Sequence, residues 1–278
     1  ETYEFSCFAR RLSGAIGPLR VELRGRKGAL LAAAELPPPL DAWQRVSITL
    51  QPAADDPFGT CTLLCAGVGT LALDMVSLFP HQTFRNRPNG LRADLAQAIA
   101  DLKPRFLRFP GGCLAHGDGL DNMYRWKDTI GPLHTRREQP NIWNYHQSVG
   151  LGYYEYFQFC EDIGAVPVPV VPAGVCCQNT EAKWTGAWEQ GQCGLPLDAM
   201  PAYIQEVLDL IEWANGPADS TWGALRAAEG HPAPFGLRYL GVGNEDKITP
   251  VFRERFRMIF EAVRARHPEI TVIGTTGP

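Results

Sequence analysis

The spacing of hydrophobic positions changes once along this chain. Over the first 78 residues they alternate with polar ones. Leu19, Val21 and Leu23 are interleaved with Arg20, Glu22 and Arg24, and Val46, Ile48 and Leu50 with Arg45, Ser47 and Thr49. A period of two puts one face in a core and the other in water, which predicts β-strands. Ser13-Gly14, Gly25-Arg26-Lys27-Gly28 and Leu36-Pro37-Pro38-Pro39 supply turn material between them. With no helical stripe among these strands, residues 1–75 are expected to form an antiparallel sandwich or a piece of one.

After Pro80 the period lengthens. Leu91, Leu95, Ile99 and Leu102 share one helical stripe, and Lys103-Pro104 ends it. The apolar stretch Phe106-Leu107-Arg108-Phe109 follows as a short strand. A helix over Tyr153–Ile163 leads into a strand at Val166–Val171, and one over Met200–Trp213 precedes a strand at Tyr239. The last, Val251–Val263, precedes Ile270–Ile273. Helix and strand thus alternate four times over residues 76–278, the pattern of a parallel α/β layout with right-handed crossovers. Pro167 and Pro169 sit badly in an interior strand, because each lacks a ladder N–H. The long segments after the strands, 111–150 and 174–198, are where binding and chemistry are built in such folds.

Composition narrows the class further. At 278 residues, 45% hydrophobic and 20% charged, the chain can bury a large core. A net charge of -4 offers no basic face to nucleic acid or an anionic membrane. No apolar run approaches the roughly 18 residues that span a bilayer. Residue 1 is Glu within a strand-like stretch, and Ile270–Gly274 reads as a core strand just short of the last residue. An internal fragment is therefore expected, and the lack of a leader segment says little. The eight cysteines have no paired zinc spacing. Buried free thiols and a loop disulfide among Cys176, Cys177 and Cys193 are both open readings.

The most informative residue is Glu245, in Tyr239-Leu240-Gly241-Val242-Gly243-Asn244-Glu245. A buried strand ends in small residues and then presents an amide and a carboxylate together, as strands do at the mouth of a barrel. One reading makes Asn244 and Glu245 a helix N-cap. The other makes Glu245 a general acid/base and lets Asn244 grip a substrate hydroxyl. A desolvated carboxyl facing another carboxylate rises from about 4.3 toward neutrality and can donate a proton. Arg108, inside an apolar strand, needs a partner, and a structural salt bridge is the plainest one. Gly111 and Gly112 permit a sharp turn and close approach to a ligand or another strand. Tyr124, Trp126, Trp143, Tyr145, Trp184 and Trp188 fall in loops, either as sugar-stacking platforms or as packing anchors. His116, His134 and His146 lack metal-ligand spacing, so no metal is expected. No phosphate-binding, dinucleotide-binding or nucleophile-elbow motif is present, and no cofactor is implied.

Four longer motifs carry a resemblance. They are FRNRPNGLRADLAQAIADLKPRFLRFPGGC from Phe84 to Cys113, the run Arg125 to Pro132, the run Gly150 to Tyr156, and Gly241-Val242-Gly243-Asn244-Glu245-Asp246. Together they resemble the α-L-arabinofuranosidases of glycoside hydrolase family 51, in the branch with an inserted carbohydrate-binding-like jelly roll. The resemblance implies part of that jelly roll over residues 1–75 and part of a (β/α)8 barrel, strands two to five, over 76–278. It implies a retaining hydrolase releasing terminal arabinofuranose from arabinoxylan or arabinan, secreted, with a signal peptide upstream. Glu245 matches the family's acid/base and Asn244 the residue that holds the sugar 2-hydroxyl. Gly112, Cys113 and Trp126 fall in substrate-binding motifs, Cys113 where other branches carry Asn. The nucleophile, a Glu on the seventh strand, lies outside this chain. Retaining chemistry needs two carboxyls about 5–5.5 Å apart, and Asp246 is expected to point elsewhere. A sugar-binding protein without turnover, or a related barrel glycosidase for another sugar, remain the alternatives.

Overall fold

A computed structural model describes residues 1–88, 90–181 and 191–277. The chain divides into two compact units, Glu1–Leu102 and Lys103–Pro278.

The first unit is one four-stranded antiparallel sheet built from β1 (Tyr3–Arg24), β2 (Leu30–Leu36), β3 (Gln44–Leu50) and β4 (Thr60–Pro80). β4 runs along the whole of β1. On the other edge, β3 pairs with its first part and β2 with its last. The alternation read from the sequence is the alternation seen. Leu19, Val21 and Leu23 are buried with Phe5, Leu36, Val46 and Leu50. On the opposite face Glu22 binds Arg20 at 2.8 Å and Arg24 at 2.6 Å. Ser13-Gly14 is not a turn. β1 continues through it, with register slips between Arg11 and Ser13 and between Ile16 and Leu19 and with Gly14 at φ +75°. Residues that turn a chain also form bulges, and sequence alone does not separate the two. α1 (Ala93–Asp101) carries the expected stripe, but Leu95, Ile99 and Leu102 are exposed.

In the second unit β5 (Phe106–Phe109) opens a parallel sheet. The loop after it holds the short α2 (Cys113–His116) and a two-residue ribbon, β6 (Gln139–Pro140) with β7 (His146–Gln147). α3 (Tyr153–Ile163) leads to β8 (Val166–Val171). α4 (Met200–Asn215) and α5 (Thr221–Ala228) lead to β9 (Tyr239–Val242), and α6 (Pro250–Arg266) leads to β10 (Thr271–Gly274). The main strands stand in chain order, β5-β8-β9-β10, all parallel.

The prolines of β8 fit an interior strand for a geometric reason. Val166 N–H donates to Arg105 O on the β5 side, while Val171 O accepts from Gly243 N–H on the β9 side. Successive residues of a strand turn their amides to opposite neighbours, so the donors missing at Pro167 and Pro169 face β9. The β8–β9 ladder begins only at Val170 and Val171, past both prolines. The core beneath the sheet gathers Phe109, Trp126, Tyr153, Phe157, Trp213, Leu240 and Ile259. Phe109 stacks on Tyr156 with centroids 4.9 Å apart and meets Phe157 edge-on. On β5 the other face, Phe106 and Arg108, is exposed.

Candidate active site

Three strand ends converge at one carboxylate. β9 ends at Val242, and Gly243 turns the chain so that Asn244 and Glu245 follow at its C-terminal end. Glu245 is exposed and has left-handed backbone at φ +50°. Asn244 Nδ2 donates to Glu245 Oε2 at 3.2 Å. From the last turn of β5, Arg108 Nη2 donates to Asn244 Oδ1 at 2.6 Å. From the loop after β8, Gln178 Nε2 donates to the same Glu245 oxygen at 3.4 Å, and the Cys113 thiol of α2 lies 3.8 Å from it. Arg108 therefore has an amide for its partner, and its exposure removes the need for a structural counter-charge.

The helix-cap reading of Asn244 and Glu245 is not what the structure holds. α6 starts at Pro250 and is capped by Thr249, whose hydroxyl accepts Phe252 N–H at 3.2 Å. That frees both Asn244 and Glu245 side chains from the helix. Gly112 is required at its position, since a Cβ there would stand 2.4 Å from the Asn244 side chain. The close approach that two glycines permit is thus an approach to Asn244.

Directly behind this cluster are His116 and Asp246, both fully buried. Burial and the nearby Arg108 guanidinium hold the His116 imidazole down to about 4, and burial pushes the Asp246 carboxyl up to about 7. Cys177 packs against Cys113, and its thiol is pushed up to about 12, chiefly by burial.

Trp126 is placed away from the cluster. Its indole is 2% exposed, its Nε1 donates to Glu206 O at 2.9 Å, and it packs on Trp213 and Trp222. A ring so enclosed has no face left for a sugar, so it serves the core instead of a substrate platform. Tyr124 is also buried, Trp143 and Tyr145 are exposed, and Trp184 and Trp188 lie outside the described residues. Cys7, Cys160, Cys176 and Cys177 are buried, and Cys193 N–H donates to Cys176 Sγ at 3.2 Å, with no disulfide between those two. Sequence reasoning did not find Gln178, His116 or Asp246 as members of the site. Gln178 follows two cysteines in a polar loop and carries no spacing signal. Asp246 was masked by its neighbour Glu245.

Parallel strands in chain order, with an amide–carboxylate pair at a strand end, define an α/β domain with a candidate acid/base site. Residues 98–277 match the Alpha-L-arabinofuranosidase 1 domain, and the chain belongs to the α-L-arabinofuranosidases of glycoside hydrolase family 51. It is 43% identical to the extracellular exo-α-L-arabinofuranosidase of Streptomyces chartreusis, over 99% of this chain and 33% of that protein. It is 38% identical to α-L-arabinofuranosidase 1 of Arabidopsis thaliana, over 83% of this chain and 32% of that one. An arabinose-bound α-L-arabinofuranosidase structure of the same glycoside hydrolase family superposes with a TM-score of 0.86 at 35% identity, covering 99% of this chain and 44% of that one. The arabinose complex of the Thermotoga maritima enzyme shares the fold, with a TM-score of 0.50 at 24% identity over 67% of this chain and 34% of that one. The chain spans about a third of the length of the curated relatives it matches.

Proposed function

We propose that these residues carry the acid/base half of a retaining α-L-arabinofuranosidase. Residues 1–75 would be part of its jelly roll, and residues 76–278 strands two to five of its (β/α)8 barrel. Glu245 protonates the glycosidic oxygen as a terminal arabinofuranose leaves arabinoxylan or arabinan. A carboxylate from a part of the protein outside these residues attacks the anomeric carbon, and a covalent glycosyl-enzyme forms. Glu245, now ionised, then takes a proton from the water that releases the sugar. Asn244 donates through its amide to the sugar 2-hydroxyl, with Arg108 fixing which end of that amide faces outward. Gly112 leaves room for Asn244, and Cys113 lies beside Glu245 at the sugar subsite.

The observation that carries this reading is the Arg108–Asn244–Glu245 chain of hydrogen bonds at the C-terminal ends of β5 and β9. Two features support the barrel: the sequential parallel order of four strands with helical crossovers, and family membership. Supporting secretion is the extracellular relative from Streptomyces chartreusis.

The test is Glu245→Gln in the complete enzyme. Hydrolysis of natural arabinosides should fall by about 10²–10⁴-fold, the usual worth of a general acid/base. An aryl arabinofuranoside with a highly acidic phenol should be cleaved in its first step nearly as before, because that leaving group needs no proton. Equal losses on both substrates would remove Glu245 from the proton-donor role. The 278-residue chain alone should release no arabinose; turnover by it would mean that both carboxyls lie within these residues.

A further inference from the structure

His116 of α2 and Asp246 have no part in the chemistry above, yet they lie directly beneath it. Their facing atoms, His116 Nε2 and Asp246 Oδ1, are 3.5 Å apart at zero exposure. Among the described residues no hydrogen bond is drawn to either atom, not even between the two, and His116 Nδ1 is likewise buried without a partner. The second Asp246 oxygen, Oδ2, accepts Asn244 N–H at 2.9 Å. A Cβ on Gly243 would stand 2.2 Å from that oxygen, so the turn from Gly243 to Glu245 is wrapped around the carboxyl group. Glu245 has φ +50°. Such backbone persists in a non-glycine residue only where its surroundings hold it. On the other side, His116 ends the helix that starts next to Gly112, against Asn244, and that carries Cys113. One buried contact thus joins the two loops that meet at Glu245.

The charge state follows from burial. A lone charge without exposure or partner is prohibitive, so the pair is either an ion pair or wholly neutral. At 3.5 Å it lacks the close, multiply bonded geometry that offsets the desolvation of two ions. The ionisable groups around it also disfavour imidazolium. Arg108 of β5 bears on His116 with a positive charge. The Cys177 thiol is pushed up by burial and supplies no anion, and Glu245 and Lys247, flanking Asp246, are exposed to water.

We propose that Asp246 is a positioning residue for Glu245. It is an un-ionised carboxylic acid that donates from Oδ1 to the neutral His116 imidazole and accepts Asn244 N–H at Oδ2. This rests on Glu245 being the acid/base. The strut fixes the Gly243–Glu245 turn without placing a second negative charge under a glutamate that must itself ionise during the cycle. No proton leaves the pair in turnover.

Two measurements test it. In ¹⁵N-histidine spectra of the protein at pH 5.5, His116 should be neutral, protonated at Nδ1; an imidazolium signature overturns the proposal. In the complete enzyme, Asp246→Asn retains a donor for His116 and an acceptor for Asn244. Its kcat should stay within about threefold of wild type, the scale of one neutral hydrogen bond. Asp246→Ala should lose about 10²-fold in kcat with KM little changed, as a misaligned acid/base does. If the Asn variant is as impaired as the Ala variant, the carboxylate charge is what matters and the neutral strut is wrong. Should the complete enzyme prove inactive on arabinosides, the function above fails, while the imidazole spectrum still decides the state of the pair.

Discussion

Asn244 is the residue through which the site is organised. It accepts from Arg108, donates to Glu245, receives its backbone support from Asp246 and abuts Gly112. Gly112→Ala should therefore act at a distance from the chemistry. The new Cβ must displace the Asn244 side chain, and kcat/KM on an aryl arabinofuranoside should fall by about 10²-fold, with the fold intact by circular dichroism. Unchanged kinetics would show that Asn244 is free to move. At this scale the sequence was informative where residue type and backbone break coincide, as at Gly243-Asn244-Glu245. It was uninformative for Trp126, because the ring that would stack on a sugar also fills a core, and only its 2% exposure decides between them.

The helices and strands of the second unit were legible because their periodicity is long and their stops are explicit. α3 and β8 occupy the residues that the pattern assigned, and Gly164 ends α3 in left-handed backbone at φ +70°. Thr249 followed by Pro250 is likewise a readable start, for α6. Thr249→Ala should cost about 1 kcal/mol, seen as a lower urea midpoint for the second unit with an unchanged slope. No change would mean that Phe252 N–H finds another acceptor. Sequence missed α5, whose start at Ser220 is capped by a hydroxyl accepting Gly223 N–H but which follows α4 too closely to stand out. It also read a turn at Ser13-Gly14, where partner β4 instead holds β1 continuous. In that case pairing across the sheet overrode a local preference.

For the molecule as a whole, the buried His116–Asp246 pair has a signature in the pH dependence of stability. Asp246 is raised from 3.8 to about 7, so its contribution is complete below the ordinary carboxyl value and is lost as pH rises toward 7. His116 is lowered from 6.5 to about 4, so its contribution runs the other way and grows as pH rises from about 4 to 6.5. Between those limits the folded pair holds one proton, on Asp246, and the unfolded chain holds one, on His116. The two slopes cancel. Asp246→Asn should uncover the histidine, so that stability climbs with pH by roughly 1.4 kcal/mol per unit relative to wild type. His116→Gln should uncover the carboxyl and give the opposite slope. Urea midpoints at pH 4.5 and 6 measure both, and parallel slopes in all three proteins would contradict the shifts.

By itself the sequence determined the two kinds of architecture, the order and type of most elements, and the identity of Asn244 and Glu245 as the polar pair at a strand end. Those are local properties: periodicity, turn chemistry and a run of small residues are written in neighbours along the chain. What only the tertiary structure decided is which distant groups face one another. Arg108 reaches Asn244 across 136 positions, Gln178 reaches Glu245 across 67, and His116 faces Asp246 at zero exposure behind them. Burial is a property of that assembly. It makes Trp126 a core ring and shifts the protons of His116 and Asp246, and no pattern along a single strand or helix encodes it.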